Sequence, residues 1–193
     1  SEVAPLRILV MCTANICRSP TAEHLLRRAA HDRDLTIEVS SAGFLFDGEP
    51  ASERTVAAAG EHGLDLSGHR SRVVSAEMAA DVDLVVTMER RHGRDLIVDL
   101  GVDPVRVHTL GALVTALADG GVGGAPMDRV AAVSEARPAG ALLGEGPDEV
   151  ADPHGRSRRR HRLMVETVAS LSDGLLDGLF DEPARAEFGG PVG

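Results

Sequence analysis

The chain has 193 residues and a formal net charge of −10 at pH 7, with 43% hydrophobic but only 2% aromatic residues. This length suits one domain with its own hydrophobic core, and the negative charge excludes the broad basic face that general nucleic-acid binding needs. No apolar run approaches the roughly 20 residues of a membrane-spanning helix. The apolar stretch at residues 6–11 is too short for a signal peptide, so we expect a cytoplasmic protein that binds neither nucleic acid nor membrane.

The first half of the chain alternates between strand and helix patterns. A short apolar run predicts a strand at residues 6–10. Ser19 and Pro20 predict the start of a helix, with Ser19 as the N-cap and Pro20 as the first helical residue. Alternating apolar residues at 35, 37 and 39 predict a second strand that ends at residues 41–43, and a second helix follows at about 52–62.

The same alternation continues to residue 118. A strand is predicted at 82–87, a helix at 90–100, a short strand at 105–109 and a helix at 110–118. Strands that alternate with helices are typical of a parallel sheet covered by helices on both faces. The sequence therefore predicts a three-layer α/β fold around a four-stranded parallel sheet.

The pattern changes in the segment 119–149, which is rich in glycine and contains three prolines. We interpret it as an insertion or lid with one short helix at 127–136. A long helix is predicted at about 157–180, with Leu163 on its buried side, and residues 181–193 are expected to form a loose tail. With no internal repeats, residues 1–193 are predicted to form a single domain.

The loop between the first strand and its helix carries the residues best suited to chemistry. Cys12 ends the strand, and Arg18 follows at C-x5-R spacing just before Ser19. Backbone N–H groups of a curled loop at a helix N-terminus form a cradle for phosphate, and such a positive field stabilises a cysteine thiolate. Arg18 can bind two phosphate oxygens, and Ser19 can donate a hydrogen bond to the sulfur. The intervening residues of the loop are Thr13, Ala14, Asn15, Ile16 and Cys17.

The two cysteines do not indicate a disulfide framework or a metal site. Four residues separate Cys12 from Cys17 in C-x4-C spacing, with no histidine at a usual zinc-finger interval. A thiolate nucleophile with an arginine and loop amides needs no further charge stabilisation. We therefore expect neither a metal nor a cofactor.

With these motifs the sequence resembles the low-molecular-weight protein-tyrosine phosphatase family. The resemblance covers about residues 6–110 and 150–180. The resembling motifs are VMCTANICRSPTAEHLL, SSAG at 40–43, GLDLSGHRSR at 63–72, DLVVTMERRH at 83–92 and Asp152-Pro153. It implies a four-stranded parallel sheet in flavodoxin-like order and phosphate-ester hydrolysis through a cysteinyl-phosphate intermediate.

The resemblance also implies a role for each matching residue. Cys12 would be the nucleophile, Arg18 would bind phosphate and Asp152 would be the general acid. A carboxylic acid on a proline-stiffened loop can protonate the leaving oxygen, although an Asp-Pro pair is also a common turn initiator. The hydrogen-bond network that supports the loop would consist of Asn15, Ser19, Ser41 and His69.

Cys17 has two interpretations of equal weight. It could form a reversible disulfide with an oxidised Cys12, which would protect the nucleophile. It could equally be a small buried residue that fills space beneath the loop.

The wall of the substrate pocket departs from the resemblance. The family usually has aromatic residues after Asp-Pro, whereas His154 follows here and tyrosine is absent from the chain. Phe44 and Phe46 could supply an aromatic wall from the opposite side, or could simply belong to the core.

The predicted partner is a phosphorylated protein, with phosphotyrosine as the preferred group. The alternatives are a phosphatase for another phosphorylated group or small metabolite, an arsenate reductase on the same fold, and a non-enzymatic oxyanion-binding module. Arginine phosphatases tend to have threonine in place of Ile16, and arsenate reductases usually have glutamine in place of Pro20.

Five arginines cluster after the acid loop, where they could guide an acidic partner or form a solvated helix face; they are Arg156, Arg158, Arg159, Arg160 and Arg162. The sequence does not specify an oligomeric state.

Overall fold

A computed structural model describes residues 3–182 of the chain. Its centre is a four-stranded sheet in the order β2-β1-β3-β4, in which every neighbouring pair is parallel. The strands are β1 (Leu6–Met11), β2 (Ile37–Ala42), β3 (Leu84–Thr87) and β4 (Val107–Thr109). The α/β prediction, with its four-stranded parallel sheet in flavodoxin-like order, is confirmed.

Helices cover both faces of this sheet. They are α1 (Arg18–Asp32), α2 (Glu53–Glu61), α3 (Ala76–Ala80), α4 (Arg90–Leu100), α5 (Leu110–Gly120), α6 (Pro126–Ala136) and α7 (Arg158–Phe180). The long helix α7 packs against α1, α2 and α5 on one face, and residues of α3 and α4 contribute to the core on the other.

The core is split into two layers by the alternation of side chains along β1. Ile8 and Val10 belong to the larger cluster beneath α1 and α7, whereas Leu9 and Met11 belong to the smaller cluster beneath α4. All four side chains are 1% exposed or less. A strand that is buried on both faces reads as a continuous apolar run, which is why β1 was evident in the sequence.

Three local predictions differ from the structure. Helix α3 was not predicted, because five residues are too few to show helical periodicity; Ser75 caps it by accepting a hydrogen bond from the N–H of Met78 at 3.1 Å. Strand β4 is shorter than predicted, because Asp103 and Pro104 first form a 3-10 turn over Pro104–Arg106. Leu163 is 46% exposed rather than buried, since the buried stripe of α7 passes through His161, Met164 and Val165 instead.

Ser19 is not the N-cap of α1, which is the fourth correction. The helix begins at Arg18, so the N-cap is Cys17 and Ser19 lies inside the first turn. The Ser19 hydroxyl bonds Cys12 and Asn15 rather than a helical N–H. The N-cap was mispredicted because a Ser-Pro pair is typical of a helix start. The pair does not show whether the serine hydroxyl bonds a helical N–H or a residue of the preceding loop.

The segment 119–149 contains α6, which packs on α5, on α7 and on the 3-10 turn. Its function as a lid stays a prediction, as does the single-domain organisation. Asp181 and Glu182 follow α7, and the remaining residues of the predicted tail, 183–193, lie outside the described residues. None of the helices between residues 3 and 182 combines the length and apolar character needed to cross a bilayer.

Candidate active site

The loop after β1 lies where ligands bind in open parallel sheets, beyond the carboxyl ends of the strands. Cys12 follows the last residue of β1 and is 3% exposed. Its sulfur lies 2.9 Å from the hydroxyl oxygen of Ser19 in the first turn of α1. The cysteine is therefore held between a strand end and a helix N-terminus, where backbone N–H groups can bind an anion.

Asn15 organises the interior of this loop. Its φ of 57° lies in the left-handed region, which asparagine tolerates better than most residues. Its side-chain amide nitrogen donates to the hydroxyls of Ser19 at 2.8 Å and Ser41 at 2.9 Å, and its oxygen accepts from the N–H of Arg72 at 3.0 Å. Because Ser19 accepts from Asn15, the remaining Ser19 proton is available to the sulfur of Cys12.

His69 and Glu23 support this network from below. His69 Nε2 donates to the backbone oxygen of Asn15 at 2.7 Å, and burial lowers the pKa of that histidine, which favours the neutral ring. The Ser41 hydroxyl donates to Glu23 Oε2 at 2.9 Å. The structure thus brings together the four residues predicted to form the network: Asn15, Ser19, Ser41 and His69.

Gly43 allows the loop to approach the end of β2. A Cβ atom at this position would lie 2.8 Å from both the backbone nitrogen of Asn15 and the backbone oxygen of Thr13. The next residue, Phe44, donates its N–H to that same Thr13 oxygen at 2.8 Å. The Thr13–Ala14–Asn15 backbone is therefore packed directly on a glycine, and no side chain fits between them.

Arg18 is 1% exposed, and one side of its guanidinium is fully occupied. Nη1 donates to Glu89 Oε2 at 2.7 Å and to the backbone oxygen of Val150 at 2.8 Å. Nη2 donates to the Thr13 hydroxyl at 3.3 Å, whereas the buried Nε has no hydrogen-bond partner among residues 3–182. A buried donor without a partner is costly, so the Nε–Nη2 edge is the part of Arg18 suited to an oxyanion.

Glu89 and His92 hold Arg18 and Thr13 from the start of α4. Burial opposes ionisation of Glu89, but the hydrogen bond and charge of Arg18 outweigh it and hold the pKa of that carboxyl below its usual value. Burial, with the charge of Arg18, lowers the pKa of His92 to about 4. His92 Nδ1 accepts from the N–H of Glu89 at 3.1 Å, so the neutral ring carries its proton on Nε2, 2.9 Å from the Thr13 hydroxyl.

Asp152 lies next to the same arginine. Its Oδ2 is 3.5 Å from Arg18 Nη2, and its Oδ1 accepts from the N–H of His154 at 3.1 Å. The carboxylate side chain is 43% exposed, in contrast to the buried guanidinium. The structure therefore brings Cys12, Arg18 and Asp152 to one site, with the carboxylate on the solvent side.

Cys17 is buried in the core beneath the loop, 3% exposed. Burial raises the pKa of its thiol to about 11, against the smaller opposing effect of the Thr55 hydroxyl. It is therefore a protonated thiol at neutral pH. Both interpretations of Cys17 stay predictions.

Among residues 3–182, no group of three or more His, Cys, Asp or Glu residues is arranged to hold a metal ion.

The predicted substrate wall is divided between two environments. Phe44 is half-buried and stacks on His92, with ring centroids 5.7 Å apart. Phe46 is 48% exposed and His154 is exposed. Ile16 packs partly buried against the larger core cluster. Of the predicted wall residues, Phe44 alone is tied to the site by a described side-chain contact.

Several site residues, among them Glu23, Gly43, Glu89 and His92, were not predicted individually. These four lie within motifs that carried the family resemblance, VMCTANICRSPTAEHLL, SSAG and DLVVTMERRH. Glu89 and His92 are three residues apart at the start of a helix, a spacing typical of a capping box. That spacing predicts the contact between Glu89 and His92. It does not predict that Glu89 bonds Arg18 or that His92 bonds Thr13.

Comparison with known proteins gives a consistent result. The model of a family described as low molecular weight phosphotyrosine protein phosphatase matches residues 7–123. The low molecular weight protein-tyrosine-phosphatase Wzb of Escherichia coli K12 is 45% identical over 85 residues, which are 44% of this chain and 56% of that protein. The chain thus spans little more than half the length of this curated relative.

Solved structures align over more of the chain. A low molecular weight protein tyrosine phosphatase from T. tengcongensis superposes with a TM-score of 0.70 at 27% identity, covering 90% of this chain and 99% of that one. The YwlE arginine phosphatase from Geobacillus stearothermophilus gives a TM-score of 0.67 at 26% identity, covering 91% and 93%.

Proposed function

The chain belongs to the low molecular weight phosphotyrosine protein phosphatase family, and from this membership we propose that it hydrolyses phosphotyrosine in proteins through a cysteinyl-phosphate on Cys12. The observation that carries the proposal is the buried Nε of Arg18, which has no hydrogen-bond partner among residues 3–182 and lies on the same loop as the Cys12 sulfur. Nη1 of that guanidinium is held by Glu89 and Val150, so the orientation of the arginine is set before substrate binds. Such preorganised charge is the main source of catalysis in phosphoryl transfer.

In the first step the Cys12 thiolate attacks phosphorus, and the bond from phosphorus to the tyrosine oxygen breaks. Asp152 gives its proton to the departing phenolate oxygen, which leaves as neutral tyrosine. Arg18 and the loop amides bind the equatorial oxygens. The position of a partly exposed carboxyl beside Arg18 supports this role, because such a group can meet both the phosphate and the leaving group.

In the second step a water molecule attacks phosphorus and the sulfur–phosphorus bond breaks. Asp152, now a carboxylate, takes the proton from that water, and inorganic phosphate leaves. The Ser19 hydroxyl, oriented by Asn15, donates a hydrogen bond to the sulfur as negative charge returns to it. This step returns the proton to Asp152 and the negative charge to the Cys12 sulfur, so the release of phosphate completes the cycle.

The choice of phosphotyrosine follows the curated relatives, whose names specify protein-tyrosine phosphatases. Phe44, stacked on His92 beside the loop, provides one aromatic surface for a tyrosyl ring. The partner would be a phosphorylated bacterial protein. We place the reaction in the cytoplasm, because a thiolate nucleophile is kept reduced there.

The test is hydrolysis of p-nitrophenyl phosphate and of matched peptides containing phosphotyrosine, phosphoserine or phosphoarginine. We expect turnover of the phosphotyrosine peptide to exceed that of the other two, and loss of all turnover in Cys12→Ser. Cys17→Ser is the matched cysteine control and should retain activity. A chelator should have no effect.

Asp152→Ala separates the acid from the nucleophile. It should slow hydrolysis of the phosphotyrosine peptide by about 100- to 10,000-fold. The loss with p-nitrophenyl phosphate should be smaller, because nitrophenolate leaves more readily without a proton. Full activity of Cys12→Ser, or faster turnover of phosphoarginine than of phosphotyrosine, would contradict the proposal.

A further inference from the structure

A set of exposed arginines surrounds the start of α7, immediately after the acid loop. Ser157 caps that helix, and its first turn contains no acidic residue. Four of these arginines lie at residues 156–160. The fifth is Arg54 in α2, whose guanidinium Nη1 donates to the backbone oxygen of Arg156. We call the set the arginine collar; it consists of Arg54, Arg156, Arg158, Arg159 and Arg160, all exposed.

The collar has no internal charge compensation. Arg162, two residues after Arg160 on the same helix, pairs with Glu61 at 2.8 Å. By contrast, no collar arginine forms an ion pair within the part of the chain that the structure describes. This positive cluster occurs in a protein whose formal net charge is −10.

The position of the collar is unfavourable for the free protein. The N-terminus of a helix carries a partial positive charge, which favours acidic and disfavours basic side chains. Three consecutive helical arginines also repel one another. The charges of the collar therefore do not stabilise α7, and they remain available to attract an anion outside the chain.

The collar adjoins the opening of the candidate site. The N–H of Arg156 donates to the backbone oxygen of Pro153 at 2.9 Å, within one turn of the exposed Asp152 carboxylate. Consecutive helical positions diverge by about 100°. Arg158, Arg159 and Arg160 therefore encircle the turn rather than form one binding face, which suits long-range attraction more than a single fitted contact.

We propose that the arginine collar selects protein substrates whose phosphotyrosine is flanked by further negative charges, either carboxylates or neighbouring phosphates. This inference rests on the proposed phosphatase function. The net negative charge of the rest of the protein repels nucleic acid and anionic membranes, whereas a short peptide segment can meet the collar without meeting that charge. Attraction of this kind raises the association rate and weakens with salt.

The test uses phosphotyrosine peptides of one length with alanine flanks, aspartate and glutamate flanks, or a second phosphotyrosine beside the first. For the wild type we expect kcat/KM to be roughly 5- to 30-fold higher for both anionic peptides than for the alanine peptide at low salt, falling towards equality in 0.5 M NaCl. A preference for the second phosphotyrosine alone would assign the collar to clustered phosphates rather than to carboxylates.

The variant is Arg158→Glu with Arg159→Glu, which should reduce the anionic preference at least about fivefold. It places carboxylates at the N-terminus of α7, where they are favourable, so the melting temperature should hold or rise. Arg159→Glu and Arg28→Glu form a matched pair, because both change the net charge equally but Arg28 lies near the opposite end of α1, where it contacts the His62 carbonyl.

Two further measurements separate this inference from the proposed function. Failure of the wild type to hydrolyse p-nitrophenyl phosphate would refute the function. Peptide affinities are therefore also measured without turnover, by binding to Cys12→Ser with and without the collar substitutions. Equal affinities for alanine and anionic peptides would overturn the inference. So would an equal loss of preference in Arg28→Glu, or collar-dependent binding to phosphatidylserine vesicles without any peptide preference.

Discussion

Substitution of Asn15 tests whether its side chain and its backbone both stabilise the candidate site. Two buried hydrogen bonds at 2.8 and 2.9 Å and one partly buried hydrogen bond at 3.0 Å would be lost in Asn15→Ala, and each contributes about 1 kcal/mol. Alanine is also disfavoured at a φ of 57°, by about 1 kcal/mol or slightly more. We therefore expect Asn15→Ala to lower the free energy of unfolding by about 4 kcal/mol.

Asn15→Gly removes the same three hydrogen bonds but tolerates the left-handed backbone. It should cost about 3 kcal/mol, so that the difference between the two variants reports the backbone term. The assay is urea unfolding at pH 7, with p-nitrophenyl phosphate turnover measured in parallel; both variants should lose activity because the Ser19 hydroxyl is no longer oriented. Losses below 1 kcal/mol in both variants, or equal losses in the two, would refute the reasoning.

Three further predictions concern other parts of the molecule. Gly43→Ala should destabilise the protein by roughly 1–3 kcal/mol, because its Cβ would overlap loop backbone. Gly60→Ala in α2, where nothing lies within 4 Å, should stabilise it by about 0.5–1 kcal/mol; thermal melting compares the two, and equal shifts would contradict the overlap. In the folded protein at pH 7.5, iodoacetamide should modify Cys12 and spare Cys17, whose burial raises its pKa to about 11; peptide mass mapping that finds Cys17 alkylated first would be contrary evidence. Burial lowers the pKa of His108 to about 4, so its neutral ring stabilises the fold above pH 6.5 and this contribution is lost as the pH falls from 6.5 towards 4; the decline in unfolding free energy over that range should be shallower in His108→Asn, and an unchanged slope would exclude His108 as its source.

The fold and the centre of the site could be predicted because their signals are local. Strand β1 is apolar on both faces, and the Cys12–Arg18 spacing spans a single loop. Both can be recognised within a window of about ten residues, without knowledge of distant contacts.

The residues that orient Arg18 could not be predicted in the same way. Glu89 and Val150 are 71 and 132 residues away from it in sequence. A glutamate at the start of a helix and a valine before a loop each have ordinary local explanations. For Ser19 the contact with the Cys12 sulfur was predicted, but its assignment as the N-cap was wrong, because a Ser-Pro pair does not specify which residue begins the helix.

The backbone of Val150 is fastened on both sides. Its N–H donates to the Met88 oxygen at 2.9 Å, and its own oxygen accepts from Arg18 at 2.8 Å. These two hydrogen bonds fix the backbone at a point two residues before Asp152. A conformational change in the preceding segment, residues 119–149, is therefore not expected to move the acid. We expect that evolution or engineering can lengthen or replace the turn at residues 121–125 while the geometry of the acid and the guanidinium is conserved, whereas α6 must be kept because its Val130 belongs to the core.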